Sequence, residues 1–148
     1  MIEARATLEI SKPPVQVFAF IDDLSKAPLW LESCIALHQT NDTPRSVGTP
    51  LHYEYRQGGR AGAMDGVVTG YEPGRHLAMR FDDDRFEVEV GFLLSASNSG
   101  TLVGHTVTIT PKSLLGRLMS PLIRIGNRKQ VVSNLARAKE ILEWERDA

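Results

Sequence analysis

The feature that most constrains the fold is a run of four consecutive hairpins between residues 49 and 110. Turns are expected at 57–60, 72–75, 82–85 and 97–100, where Gly, Pro, Asn, Asp and Ser cluster. Directly opposite residues of an antiparallel pair point to the same face of a sheet, so a slip of one residue at any turn would mix the two faces. With these turns no mixing occurs, and the pattern predicts a large antiparallel sheet with one apolar face.

The expected cross-strand pairs assign the residues of that apolar, inward face. In chain order they are Tyr55–Gly62, Tyr53–Met64, Leu51–Gly66, Val68–Met79, Gly70–Leu77, Phe81–Phe86, Met79–Val88, Leu77–Val90, Leu94–Val103, Phe92–His105, Val90–Val107 and Val88–Ile109. The opposite face is charged and polar. The inward glycines Gly62, Gly66 and Gly70 indicate either space for a ligand or strong bending of the sheet.

Shorter elements precede the hairpins. Residues 3–10 alternate between polar and apolar side chains, which is typical of a half-buried strand. A short helix is expected from about residue 13 to residue 23, with Ser11 as its N-cap and prolines in its first turn. A second short helix is expected over 25–33, and a strand over 35–40.

After Pro111 the apolar period changes from two residues to about 3.6. The stripe expected to face the core consists of Val131, Leu135, Ala138 and Leu142. This spacing predicts a long helix over about 122–145 that covers the apolar face of the sheet. Because proline lacks the backbone donor, a break or kink is expected at Pro121.

The bulk properties describe an ordinary soluble chain. The 148 residues are expected to form one domain, 1–148, and the net charge of −1 gives no reason to expect a nucleic-acid partner. The single Cys34 cannot form an internal disulfide. Neither a signal peptide nor a membrane span is visible, so a cytoplasmic location is expected.

Three segments resemble the SRPBCC superfamily, the START-like helix-grip proteins that include the polyketide cyclase/dehydrase family. They are Ile10–Phe18 (ISKPPVQVF) with Asp22, Asp23 and Trp30 after it, Val68–Arg75 (VTGYEPGR), and Asn134–Glu143 (NLARAKEILE). The resemblance implies an α+β helix-grip fold. In that fold a curved antiparallel sheet of about seven strands, with two short helices after strand one, wraps around a long C-terminal helix. It also implies a cavity for an apolar ligand between sheet and helix.

The candidate ligand residues follow from the inward face and the helix stripe. They are Tyr53, Tyr55, Met64, Val68, Met79, Phe81, Val90, Phe92, His105 and Leu135. His105 is also the candidate acid/base, and the favoured alternative is a histidine that is hydrogen-bonded inside the core or lies near the open end of the sheet. A bulge in the turn at 97–100 would instead send His105 to solvent and bring in Thr106.

Three functions remain open from the sequence. The first is binding of a small hydrophobic or amphipathic molecule, such as a polyketide, lipid or aromatic compound, without a cofactor or metal. The second is a cyclase, dehydratase or isomerase that uses His105. The third is a protein-interaction module with a closed core. The scarcity of inward acids favours binding over catalysis, and a monomer or homodimer is expected.

Overall fold

The computed structural model describes residues 1–57 and 59–144. The strands are β1 (Ile2–Ile10), β2 (Cys34–Gln39), β3 (Pro50–Gln57), β4 (Arg60–Glu72), β5 (His76–Asp82), β6 (Phe86–Ser97) and β7 (Gly100–Pro111). The α-helices are α1 (Pro14–Asp22), α2 (Ala27–Trp30), α3 (Leu114–Leu118) and α4 (Ser120–Trp144), and a 3₁₀ turn, Leu24–Lys26, precedes α2.

The seven strands form one antiparallel sheet in the order β1-β7-β6-β5-β4-β3-β2. The first strand therefore pairs with the last, so the chain ends of the sheet meet beside the long helix. The predicted α+β helix-grip architecture is confirmed. None of the described helices is long and apolar enough to span a membrane.

The first and fourth hairpins have the predicted register. Tyr53 pairs with Met64 across β3 and β4, and Phe92 pairs with His105 across β6 and β7. No flip of the last hairpin occurs, so His105 faces inward and is buried. The predicted turn residue Gly58 lies outside the described residues.

The second hairpin differs from the prediction beyond Val68. Val68 pairs with Met79 as expected, but the register then shifts, and Gly70 pairs with Ala78 instead of Leu77. The turn is one residue longer than expected, with Gly74 at φ +81°, and the irregularity between Val68 and Gly70 compensates for it. Gly70 is therefore not an inward residue, and Tyr71 takes the place opposite Leu77.

The third hairpin is shifted by two residues. Phe81 pairs with Val88 instead of Phe86, and Met79 pairs with Val90. The cause is the turn: the Asp83 carboxylate accepts the backbone N–H groups of Arg85 and Phe86, both at 2.8 Å, which stabilises a wider loop. Because the shift is an even number of residues, every side chain keeps its predicted face.

The helices begin and end differently from the predictions. Pro13, not Ser11, is the N-cap of α1, and the second helical segment ends at Trp30 instead of residue 33. The predicted break is present: α3 ends at Leu118 and α4 begins at Ser120, so Pro121 lies in the first turn of α4, where its missing donor costs nothing. The predicted helix end at 145 lies outside the described residues.

The core lies between the inner face of the sheet, the short helices and one side of α4. All four residues of the predicted stripe are buried. The helix packs mainly on β1 and β7, at one side of the sheet. Its packing on β3–β6 is weaker, and α1 contacts β6.

Candidate functional site

The ten predicted ligand residues lie on one inner surface and fall into two groups that differ in burial. Seven are buried: Met64, Val68, Met79, Phe81, Phe92, His105 and Leu135. The other three, Tyr53, Tyr55 and Val90, are only half-buried, although they pack against the same core. The deep residues are packed against one another, so any site for a ligand must involve the shallow ones.

The shallow residues extend into a continuous apolar strip that we call the mouth. It consists of Tyr53, Tyr55, Phe86, Val88 and Val90, all half-buried. Phe81 connects the tyrosines of β3 to the residues of β6. It pairs with Val88, and its ring centroid lies 5.2 Å from that of Tyr53. The inner face is thus partly accessible in this region.

Side-chain hydrogen bonds close the inner face beyond the mouth. Gln130 of α4 donates to the Ser33 hydroxyl, and Asn134 Oδ1 accepts the Glu32 N–H at 3.0 Å. Both bonds tie the middle of α4 to the segment between α2 and β2. On the other side α3 approaches Phe86, since a Cβ on Gly116 would lie 3.3 Å from its ring. Helix α3 therefore borders the mouth at Phe86.

The polar groups of the mouth are two stacked tyrosines. The Tyr53 and Tyr55 ring centroids are 5.6 Å apart, and the Tyr55 hydroxyl lies 3.5 Å from the Asp83 carboxylate. The Tyr53 hydroxyl bonds to no described residue, and burial raises its pKa, so it stays protonated and can donate a hydrogen bond. An apolar surface with a free hydroxyl suits an amphipathic molecule.

One further polar atom near the mouth was missed by the sequence reasoning. Asn127 is buried on α4 and donates to the Val107 carbonyl at 3.0 Å, but its own Oδ1 has no described partner. Val107 pairs with Val90, so this acceptor lies one strand from the mouth. The sequence signal was available, because Asn127 and Asn134 are seven residues apart beside the apolar stripe.

His105 is held inside the core and is almost completely buried. It stacks on Phe92 with a centroid distance of 4.4 Å, and Trp30 packs on the same phenylalanine at 5.3 Å. Its Nδ1 donates to the Gly91 carbonyl at 3.2 Å, and its Nε2 accepts from the Asn134 amide at 3.2 Å. Burial lowers the pKa of His105 to about 4. The imidazole of His105 is thus neutral, and both of its nitrogens form hydrogen bonds.

The inward glycines accommodate aromatic rings from neighbouring strands. A Cβ at Gly62 would lie 2.6 Å from the Tyr55 hydroxyl, and a Cβ at Gly66 would lie 2.5 Å from the Phe81 ring. The space next to both glycines is therefore already filled. Neither glycine provides free volume for a ligand.

Cys34 and the surface depressions do not contribute to this site. Burial raises the pKa of the Cys34 thiol to about 11, so it is not a nucleophile at neutral pH.

Two depressions of about 310 and 240 Å³ lie between α2 and α4, and none of the ten predicted residues lines them. Among the described residues no group of three or more His, Cys, Asp or Glu is placed to hold a metal ion.

An antiparallel sheet with a long C-terminal helix on its inner face and a partly open apolar mouth defines the class of START-like helix-grip proteins. Residues 1–143 match the model of the family described as polyketide cyclase / dehydrase and lipid transport, and the chain belongs to this family within the SRPBCC superfamily. No curated protein sequence matches the chain.

Several solved structures of low sequence identity share the fold over nearly their whole length. A Thermus thermophilus protein is 19% identical with a TM-score of 0.79, over 96% of this chain and 97% of that one. A START superfamily protein from Mycobacterium smegmatis is 15% identical with a TM-score of 0.77, over 96% and 97%. The Zhui aromatase/cyclase of a Streptomyces species is 11% identical with a TM-score of 0.79, over 95% and 93%.

Proposed function

We propose that this protein binds a small amphipathic molecule, with an apolar body and at least one polar group, at the mouth. The observation that carries the proposal is the half-buried strip of Tyr53, Tyr55, Phe86, Val88 and Val90, which lies on strands other than β1 and β7, where α4 mainly packs. A polyketide-like aromatic compound or a lipid is the ligand class that the family description and the aromatase/cyclase relative support.

The polar atoms near the strip support an amphipathic ligand over a purely apolar one. The Tyr53 hydroxyl is free to donate, and Asn127 Oδ1 is a buried acceptor without a described partner. A buried polar atom without a partner is destabilising by about 1–3 kcal/mol, so a hydroxyl that reaches Asn127 would gain from it. We expect the ligand to carry such a hydroxyl at its inner end.

The surroundings of His105 argue against a role in proton transfer and therefore favour ligand binding over catalysis. A catalytic acid/base must reach the substrate within hydrogen-bond distance, and both nitrogens of His105 are bonded to Gly91 and Asn134. Its pKa of about 4 also lies far from neutral pH. We therefore propose no catalytic role for His105.

The proposal is tested by filling the mouth. Val90→Trp adds a large side chain to the half-buried strip, whereas Val47→Trp adds the same side chain at an exposed loop position. Native mass spectrometry and titration with a long-chain fatty acid and a hydroxylated anthraquinone give the occupancy and the affinity. We expect the wild type and Val47→Trp to bind one of these probes and Val90→Trp to lose at least tenfold in affinity.

A second variant tests the polar contact. Tyr53→Phe removes the free hydroxyl without changing the ring, and we expect a two- to tenfold loss of affinity for a hydroxylated ligand. A bound ligand at a hundred times its dissociation constant should stabilise the fold by about 2.7 kcal/mol, which appears as a rise in melting temperature. If no probe shifts the melting temperature and purified protein carries no compound, the function is a closed-core interaction module instead.

A further inference from the structure

The surface formed by α3 and the first turns of α4 combines apolar exposure with positive charge. Its apolar members, each between 44% and 73% exposed, are Leu114, Leu115, Leu118, Met119, Leu122 and Ile125. An exposed contiguous cluster of this kind is unusual on a soluble protein and marks an interaction surface. We call these six residues, with the basic residues among them, the α3–α4 surface.

The segment that carries the cluster has charges of one sign, and its first base, Lys112, is paired with Asp82 at the end of β5. Between Lys112 and Lys139 the sequence contains seven basic and no acidic residues, although acids outnumber bases in the whole chain, 18 to 17. The side chains of four of the seven form no ion pair or hydrogen bond with the described residues; these are Arg117, Arg124, Arg128 and Lys129. All four are exposed. The positive charge is therefore not used within the described part of the fold.

The position of Arg124 shows that this charge is directed outward by the fold. Arg124 precedes Val131 by seven residues and Leu135 by eleven, so it lies on the same side of α4 as these buried side chains. It is nevertheless exposed, because the first turns of α4 extend past the packed core. An exposed arginine on that side of α4 is available to an external anionic group.

We propose that the α3–α4 surface docks on an anionic lipid bilayer. Interspersed aliphatic and basic side chains without acids are the combination that interfacial helices use on such membranes, where the apolar residues enter the headgroup region and the bases meet the lipid charges. A protein partner is less well matched, since the cluster contains none of the aromatic residues that dominate the centres of protein interfaces.

This docking is independent of the ligand proposal, but the two surfaces adjoin. The α3 helix forms one boundary of the mouth through Gly116 and Phe86. A bilayer in contact with α3 would therefore lie next to the mouth opening. Because docking uses other residues, its failure would leave the Val90→Trp experiment unaffected.

The experiment is flotation of the whole protein with two kinds of vesicle. One kind is pure phosphatidylcholine, and the other contains about one third phosphatidylglycerol, which supplies the negative charge. We expect the wild type to float with the anionic vesicles only, and raised salt to weaken the association. Equal flotation with both vesicles, or with neither, would overturn the proposal.

Two double variants locate the contact. Arg124→Gln with Arg128→Gln should lower the affinity for anionic vesicles about thirtyfold, and Leu118→Ser with Leu122→Ser at least tenfold. The controls are Arg56→Gln and Leu93→Ser, which change exposed residues of the outer sheet face. Controls that weaken flotation as much as the double variants would contradict the assigned surface.

Further measurements on the same samples test the alternative that the α3–α4 surface binds a second copy of the chain. All the substituted residues are exposed, so circular dichroism should show unchanged folds. If the wild type forms a concentration-dependent dimer that the leucine variant abolishes, and no vesicle binds it, the α3–α4 surface is a contact between copies and the lipid proposal is wrong.

Discussion

At the scale of single residues, buried polar side chains on the inner face form hydrogen bonds with one another that exist only in the folded state. Asn134 is the central one: its amide donates to His105 Nε2, and its Oδ1 accepts the Glu32 N–H. A single buried side chain thus joins α4, β7 and the segment after α2. Sequence reasoning placed His105 on the inner face correctly but had no means of finding its partners, which lie far along the chain.

Asn134→Leu should be strongly destabilising. The leucine would leave the Glu32 N–H and the His105 Nε2 without their partners, and each buried polar group without one costs about 1–3 kcal/mol. We expect the free energy of unfolding to fall by about 3 kcal/mol, measured by urea denaturation. Ser133→Ala, on the exposed neighbour, is the control and should change it by less than about 0.5 kcal/mol. Equal effects of the two changes would argue against the network.

At the scale of elements, the phase of the sheet was predictable and its register was only partly so. Alternation with a period of two residues is a local property, and it correctly separated Tyr53 and Val88 from the solvent face. The register of the second and third hairpins depends on turn details, namely the longer turn at Gly74 and the Asp83 carboxylate. The alternation pattern does not determine which of several possible turns the chain adopts at these places.

The close approach of β4 to β5 gives a test at this scale. A Cβ at Gly66 would lie 2.2 Å from the Arg80 carbonyl oxygen, whereas a Cβ at Gly91 of β6 meets no atom within 4 Å. We expect Gly66→Ala to lower the unfolding free energy by about 2 kcal/mol or more and Gly91→Ala to leave it unchanged or slightly raised. Thermal denaturation of both variants measures the difference. A Gly66→Ala protein as stable as Gly91→Ala would mean that the strands have room to part.

At the scale of the whole molecule, stability should depend on pH through His105. Its pKa in the folded state, about 4, is below the ordinary value of 6.5, because burial disfavours the charged ring. Between these values the unfolded chain binds a proton that the folded chain does not. The stabilisation is therefore complete above pH 6.5 and is lost as the pH falls towards 4.

This pH dependence is measurable by urea denaturation at a series of pH values. The loss should amount to roughly 2–3 kcal/mol by the lower end of the window, since one pKa unit corresponds to about 1.4 kcal/mol. The Glu9 and Glu143 pKa values are lowered, so the stability they contribute is lost only as the pH falls below about their ordinary value of 4.5, at the lower end of the window. His105→Gln should flatten the profile between pH 5 and 6.5. An unchanged slope in that variant would show that another group titrates there.

The sequence by itself determined which side chains face inward, because alternation in a strand and the 3.6-residue period of a helix are properties of neighbouring residues. It thereby determined a one-sided sheet covered by a long helix and the ten inward candidates, and the family resemblance added the helix-grip fold. Only the tertiary structure decided that seven of them are buried and that Tyr53, Tyr55 and Val90 remain half-open. That division depends on where α4 lies across the sheet and on bonds between residues about a hundred positions apart, such as Glu32 and Asn134.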